Sequence, residues 1–192
     1  MSLIIFIKNP ALGKVKTRLA ATLGDEVALD IYHKLSERTR EVVSVIESPR
    51  YLYYSDFIDQ TDEWVNALFI KRLQQGSDLG ERMLNAFIET LQASSPTIII
   101  GSDCPLLTPD ILHEAFNELK KHPFVLGPAL DGGYYLLGMH EPCPELFQAM
   151  EWSTDRVAQV TLERIAKRNQ ACFVLPLLPD VDEAADWERY GW

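Results

Sequence analysis

The sequence predicts an α/β protein, a central sheet of buried strands with helices on both faces. Two apolar runs carry that expectation. Leu3–Ile7 and the β-branched Ile98–Ile100 are continuous, not alternating, as strands covered on both faces are. Segments with apolar residues at helical spacing separate the strands, and 192 residues suffice for one packed domain, 1–192.

Leu3–Ile7 is the first strand, followed by a loop from Lys8 to Arg18 that Pro10 and Gly13 keep irregular. Gly24-Asp25 opens a helix carrying Val27, Ile31, Leu35 and Val42, which Pro49 ends. Tyr51–Tyr54 is the second strand. A polar connection leads into a short helix around Glu63–Ala67, and Phe69–Leu73 is the third strand. Asp78 and Glu81 occupy the N-cap and N3 places of a capping box, opening a helix with Met83, Phe87, Ile88 and Leu91. After the central strand, which ends at Gly101, Thr108-Pro109 starts a helix to about Lys121. Phe124–Ala129 is a strand whose Gly127-Pro128 implies an edge position or a bend. Asp131-Gly132-Gly133 turns the chain into the strand Tyr134–Met139. Glu145–Met150 reads as helical, Ser153 or Thr154 as the N-cap of a helix containing Val157, Val160, Leu162 and Ile165, and Cys172–Leu175 as the last strand. The carboxylates of residues 180–186 gather at the N-terminus of a final helix, where the helix dipole favours them.

A composition of 47% hydrophobic and 24% charged residues is that of a globular protein, and no stretch has the ~20 apolar residues of a membrane span. The opening Met-Ser-Leu-Ile-Ile-Phe-Ile lacks the basic region and cleavage site of a signal peptide, so the expectation is a soluble cytoplasmic protein. Cys104, Cys143 and Cys172 are unpaired in pattern, and the four histidines show no metal spacing. Any metal would be held by oxygen. A net charge of −10 argues against nucleic acid or an anionic membrane as partner. Yet residues 1–24 carry Lys8, Lys14, Lys16 and Arg18 and no acid, +4 against −14 for the remainder. One cationic loop in an acidic protein suits a small anionic ligand.

That loop follows the first strand, where backbone N–H groups and cations can cradle phosphates, although it matches neither a P-loop nor a dinucleotide fingerprint. Asp103 follows the central strand at the sheet edge where open α/β proteins place ligands, and Asp131 is a second carboxylate at a strand end. The glycines after Asp131 allow a ligand to approach the main chain closely. A plain turn would also explain Asp103, and a solvated surface the basic loop. Gly76, Gly80 and Arg82 around a helix start resemble a second anion or base contact.

Lys-x-Pro-x-x-Gly-Lys-x-Lys-Thr-Arg-Leu at 8–19, Gly-Ser-Asp-Leu-Gly-Glu-Arg at 76–82, Gly-Ser-Asp-Cys-Pro at 101–105, Gly-Pro-Ala-x-Asp-Gly-Gly-Tyr at 127–134, Trp-Ser-Thr at 152–154 and Asp-Val-Asp at 180–182 occur together. With them the chain resembles a bacterial family of uncharacterised proteins, the DUF2064 type, grouped with nucleotide-diphospho-sugar transferases. The resemblance implies the glycosyltransferase-A fold, a three-layer Rossmann-like arrangement with a mostly parallel sheet and one antiparallel strand. It implies that Lys8, Pro10, Gly13, Lys14, Lys16, Arg18, Gly80, Arg82 and Ser102 meet the nucleotide and its phosphates. By the same resemblance Asp103 would take the place of a metal-binding aspartate; the full Asp-x-Asp is absent, since Gly101 and Pro105 flank Asp103 at that spacing, so a second carboxylate would come from Asp131, Asp180 or Asp182. Gly132, Gly133, Tyr134, Trp152 and Ser153 fall to the acceptor or substrate loops. Mg²⁺ or Mn²⁺ is the expected cofactor, with Asp103 and Asp131 as the catalytic carboxylates.

Three functions follow from this reading. The first is a metal-dependent transferase taking a nucleotide-sugar donor and a small-molecule acceptor. The second is a nucleotidyltransferase that activates a sugar or acid with an NTP, and the third a nucleotide-binding protein without catalysis. Base, sugar, acceptor and oligomeric state are not written in the motifs.

Overall fold

The computed structural model describes residues 1–192. Seven strands form one mixed sheet: β1 (Ser2–Ile7), β2 (Arg50–Tyr54), β3 (Ile70–Leu73), β4 (Thr97–Ile100), β5 (Phe124–Pro128), β6 (Tyr134–Met139) and β7 (Cys172–Val174). Their spatial order is β3-β2-β1-β4-β6-β5-β7. All neighbours pair in parallel except β6, which runs antiparallel to both β4 and β5. Helices α1 (Thr17–Leu23), α2 (Asp25–Ser44), α3 (Leu79–Ala93), α4 (Pro109–Glu118), α5 (Val157–Lys167) and α6 (Ala184–Tyr190) complete the chain.

The continuous apolar runs are explained by two core layers that share the sheet. Leu3, Ile5, Ile98 and Ile100 face one layer with Val42 and Val43 of α2 and Leu112 and Phe116 of α4. Ile4 and Ile99 face the other with Met83 and Phe87 of α3 and Ile165 of α5. Alternate residues of β1 and β4 therefore enter opposite cores, and each fully buried Leu or Ile contributes about 1.5–3 kcal/mol of apolar burial. A third, smaller cluster joins Leu19 of α1 and Ala28, Ile31 and Leu35 of α2 to Val181 near the C-terminus.

Several elements differ from expectation. Residues 63–67 form a bend and the start of a turn, not a helix, because the Asp62 carboxylate takes the Trp64 N–H at 3.1 Å and the Lys71 ammonium at 2.7 Å. Thr17–Leu23 is helical, so the basic loop ends at Lys16. β5 is interior, between β6 and β7. Gly127-Pro128 marks a register shift there, so the bend is observed and the edge position is not. Of residues 145–150 only the first turn, Pro144–Leu146, is 3₁₀-helical. Neither Ser153 nor Thr154 caps α5. The helix starts at Val157, Ser153 is left-handed at φ 63°, and the Ala158 N–H donates to the Gly132 carbonyl at 2.9 Å.

From β1 the chain passes to β2 and β3 on one side and then crosses through α3 to β4 on the other. The strand order therefore reverses at the β1/β4 seam, which in open α/β sheets is where ligands sit. Residues 8–16, 101–108, 129–133 and 175–183 all emerge at this carboxyl edge, since Ile100 of β4 lies opposite Leu136 near the start of antiparallel β6.

Candidate active site

The loop after β1 is fastened before it can present its cations. Asn9, 5% exposed, accepts the N–H groups of Asp56 and Phe57 at 3.0 and 3.2 Å and donates to the Phe57 carbonyl at 2.9 Å, tying this loop to the one after β2. The Tyr32 hydroxyl, from α2, donates to the Lys8 carbonyl at 2.5 Å. Burial first, and Asp103 second, raise its pKa, while a hydrogen bond with Ser102 opposes them. Ser102 is thus buried against Tyr32. Lys8, Pro10, Gly13, Lys14 and Arg18 are exposed.

Lys16 is not. It is left-handed (φ 49°, ψ 47°), and its side chain, 6% exposed, turns inward to Asp103 Oδ1 at 2.5 Å and the Val181 carbonyl at 2.6 Å. The Val181 N–H donates in turn to the Asp103 carbonyl at 3.0 Å. Asp103 keeps 53% of its side chain exposed at the β1/β4 seam. Arg18 pairs with Asp182 at 2.8 Å, exposed on both sides, so that contact contributes little stability.

The segment after β7 brings further carboxylates. Asp180 is raised from its ordinary value to about 6, first by burial and then by the charge of Asp131, with Asp103 adding and Lys16 opposing. Asp131 sits at the tip of the β5–β6 turn, where its Oδ1 accepts the Gly133 N–H at 2.7 Å. A cavity of about 230 Å³ opens among Arg18, Leu130, Asp131, Asp180, Asp182 and Tyr190. The fold therefore gathers Lys16, Arg18, Asp103, Asp131, Asp180 and Asp182 from four separate stretches of chain. No three His, Cys, Asp or Glu side chains converge as a ready-made metal cage.

The remaining candidates form a second group around the start of α3. A Cβ on Gly80 would lie 2.8 Å from the Trp152 indole, so this glycine is required by packing. The Arg82 Nε–H donates to the Gly76 carbonyl at 3.1 Å. The Tyr134 hydroxyl points to the Met83 sulfur at 3.6 Å, and burial raises its pKa. Ser153 is exposed. Asn9, Tyr32 and Val181 were not candidates from the sequence. An Asn two residues beyond the end of a strand is a turn signal that points to Asn9, but nothing local marks Tyr32 or a valine carbonyl.

Comparison with known proteins agrees with this architecture. A structure from Desulfovibrio desulfuricans G20, provisionally described as a nucleotide-diphospho-sugar transferase, superposes with a TM-score of 0.87 at 30% identity, over 95% of this chain and 82% of that one. The fold is also shared with 4-diphosphocytidyl-2C-methyl-D-erythritol synthase from Anaerococcus prevotii DSM 20548 (TM-score 0.61, 13% identity, 99% and 93% of the two chains). The inositol-1-phosphate CTP transferase from T. maritima is similar too (TM-score 0.54, 16% identity, 96% and 90%). These likenesses agree with a Rossmann-like transferase architecture. No curated protein matches the sequence. Residues 38–154, which contain both Asp103 and Asp131, match the model of the family described as "uncharacterized protein conserved in bacteria", and the chain belongs to that family, DUF2064.

Proposed function

We propose that the protein is a nucleotidyltransferase, joining the nucleotidyl group of an NTP to a phosphorylated small molecule at the carboxyl edge of the sheet. The observation that carries this reading is Asp103, half exposed at the β1/β4 seam beside a loop whose Lys8 and Lys14 face solvent, as does Arg18 in the first turn of α1. Those cations suit the triphosphate and the outward side of Asp103 a phosphate-bound cation. Transfer to a phosphorylated substrate needs no general base, because its phosphate oxygen is already a nucleophile. Asp131, held by the Gly133 N–H, then orients the second substrate. The fold's similarity to proteins described as a cytidyl synthase and a CTP transferase supports placing this reaction ahead of glycosyl transfer. Use of a nucleotide-sugar donor is the second reading, favoured by the provisional description of the Desulfovibrio structure.

Mg²⁺ or Mn²⁺ fits the donors present. Asp103 offers a half-exposed carboxylate, and the charge of Asp103 is felt at Asp180; such ions need only one or two carboxylates, completing their shell with phosphates and water. Bound there, the ion would neutralise charge on the departing pyrophosphate. Lys14 of the loop and Arg18 of the first turn of α1 would hold the same phosphates from the other side.

A thermal-shift screen of CTP, UTP, GTP, ATP and the corresponding diphosphate sugars, with and without MgCl₂, tests the reading. One nucleotide at a hundredfold excess over its dissociation constant should stabilise the fold by about 2.7 kcal/mol, a rise of roughly 5–10 °C. Pyrophosphate should then appear only when a phosphorylated partner is added. Folded protein that responds to no nucleotide would overturn the proposal, and turnover of a nucleotide sugar without NTP would favour the second reading.

A further inference from the structure

The resemblance puts Lys16 with the phosphate-binding cations, yet the fold treats it differently from its neighbours. Lys14 and Arg18, two residues away on either side, face solvent, whereas the Lys16 ammonium is enclosed between Asp103 Oδ1 and the Val181 carbonyl. Val181 is fully buried against Leu19, Ile31 and Leu35, and its own N–H returns to the Asp103 carbonyl. Lys16, Asp103 and Val181 are thus joined by three bonds, which tie together the loop after β1, the loop after β4 and the segment after β7. We propose that Lys16 is a positioning residue for Asp103 and makes no phosphate contact. The inference rests on the proposed function only for what Asp103 faces.

Charge and burial explain why the ammonium stays inside. To reach a phosphate it would give up two short charge-assisted bonds and leave the Val181 carbonyl without its partner in a buried setting. It would also withdraw a positive charge from beside Asp103, Asp131 and Asp180, whose mutual repulsion is already visible at Asp180. By holding Oδ1 from within, Lys16 fixes the carboxylate so that its other oxygen is presented outward. Asp103 is half exposed while Lys16 is enclosed, the asymmetry that this arrangement requires.

Three measurements test it. In the folded wild-type protein, acetylation by acetic anhydride, mapped by mass spectrometry, should modify Lys16 at least ~tenfold more slowly than Lys14. Asp103→Asn should make Lys16 react faster. In a ligand-free double-mutant cycle, Lys16→Met should lower the Tm by about 5 °C or more, and the double variant with Asp103→Asn should lose less than the sum of the two. Titration calorimetry with CTP and MgCl₂ should show both single variants weakened and the double no weaker than Asp103→Asn alone. A residue that merely supported the fold would not give that coupling in affinity.

Lys16 labelled as fast as Lys14, a ligand-free Tm unchanged by Lys16→Met, or affinity losses that add would each overturn the proposal. If Lys16→Met does not fold, the labelling of wild type and Asp103→Asn decides. If the wild type binds no nucleotide, the proposed function fails, while labelling and the stability cycle still decide the role of Lys16.

Discussion

Gly132 stands at φ 88° with the Asp155 carbonyl oxygen 2.1 Å from where its Cβ would be. Its carbonyl accepts the Ala158 N–H, so the β5–β6 turn lies against the start of α5 at backbone-to-backbone distance. The two adjacent glycines after Asp131 therefore serve different ends. Gly132 admits the Asp155 backbone, while Gly133 donates the N–H that holds the Asp131 carboxylate. From the sequence, the need for close approach at this turn was readable, but the approaching group was not, because Asp155 is 23 residues further along the chain. Gly132→Ala combines a left-handed φ with a backbone clash, and should destabilise by about 3 kcal/mol, a fall in Tm of roughly 6–12 °C. A melting curve that overlays the wild type would show that the turn can move away from α5.

At the scale of elements, legibility follows how local the cause is. The start of α3 could be read because its cap lies within four residues: the Glu81 N–H donates to Asp78 Oδ1 at 2.8 Å, as the spacing predicts. The reciprocal bond is displaced by one residue, Glu81 accepting the Ser77 N–H and hydroxyl at 2.8 Å each, and those bonds lower the Glu81 pKa. The helix Thr17–Leu23 was missed because no side chain caps it; its N-cap is Lys16, bent into the left-handed region while its ammonium reaches Asp103. The supposed helix at 63–67 failed for the opposite reason, since Asp62 captures the Trp64 N–H. The lowered pKa of Glu81 has a definite sign. Its contribution is complete above the ordinary glutamate value of 4.5 and is lost as pH falls through the lower folded value. Glu81→Gln should therefore have a lower Tm than wild type at pH 7, and the gap should narrow steadily below pH ~4. A gap that stays constant into acid would mean that the Ser77 bonds do not depend on the carboxylate charge.

For the whole molecule, sharing one sheet between two cores couples them. Continuous apolar runs made this sharing legible, because a strand buried on both faces has no polar side. The return of residues 180–182 to the site was not, since Lys16 and Val181 are joined across most of the chain by a carbonyl that carries no sequence signal. The three cysteines test the coupling. Cys104 belongs to the α2/α4 layer, Cys143 to the α3/α5 layer, and Cys172 lies on β7, an outer strand of three residues. Burial first, and for Cys143 also the Glu145 carboxylate, pushes these thiols up, to about 12 for Cys104 and Cys172 and about 11 for Cys143. At pH 8 the thiolate fraction is then at least ~100-fold below that of an ordinary cysteine, so a disulfide reagent should act on the folded protein only through openings. Because Leu3 and Ile4 enter opposite layers from one strand, neither layer can open without disturbing the backbone that supports the other. In mild denaturant Cys104 and Cys143 should be labelled at one common rate equal to that of global unfolding, with Cys172 modified earlier by fraying of its edge strand. Rates for Cys104 and Cys143 differing by more than ~tenfold would show the two faces opening independently and the sheet surviving on one core alone.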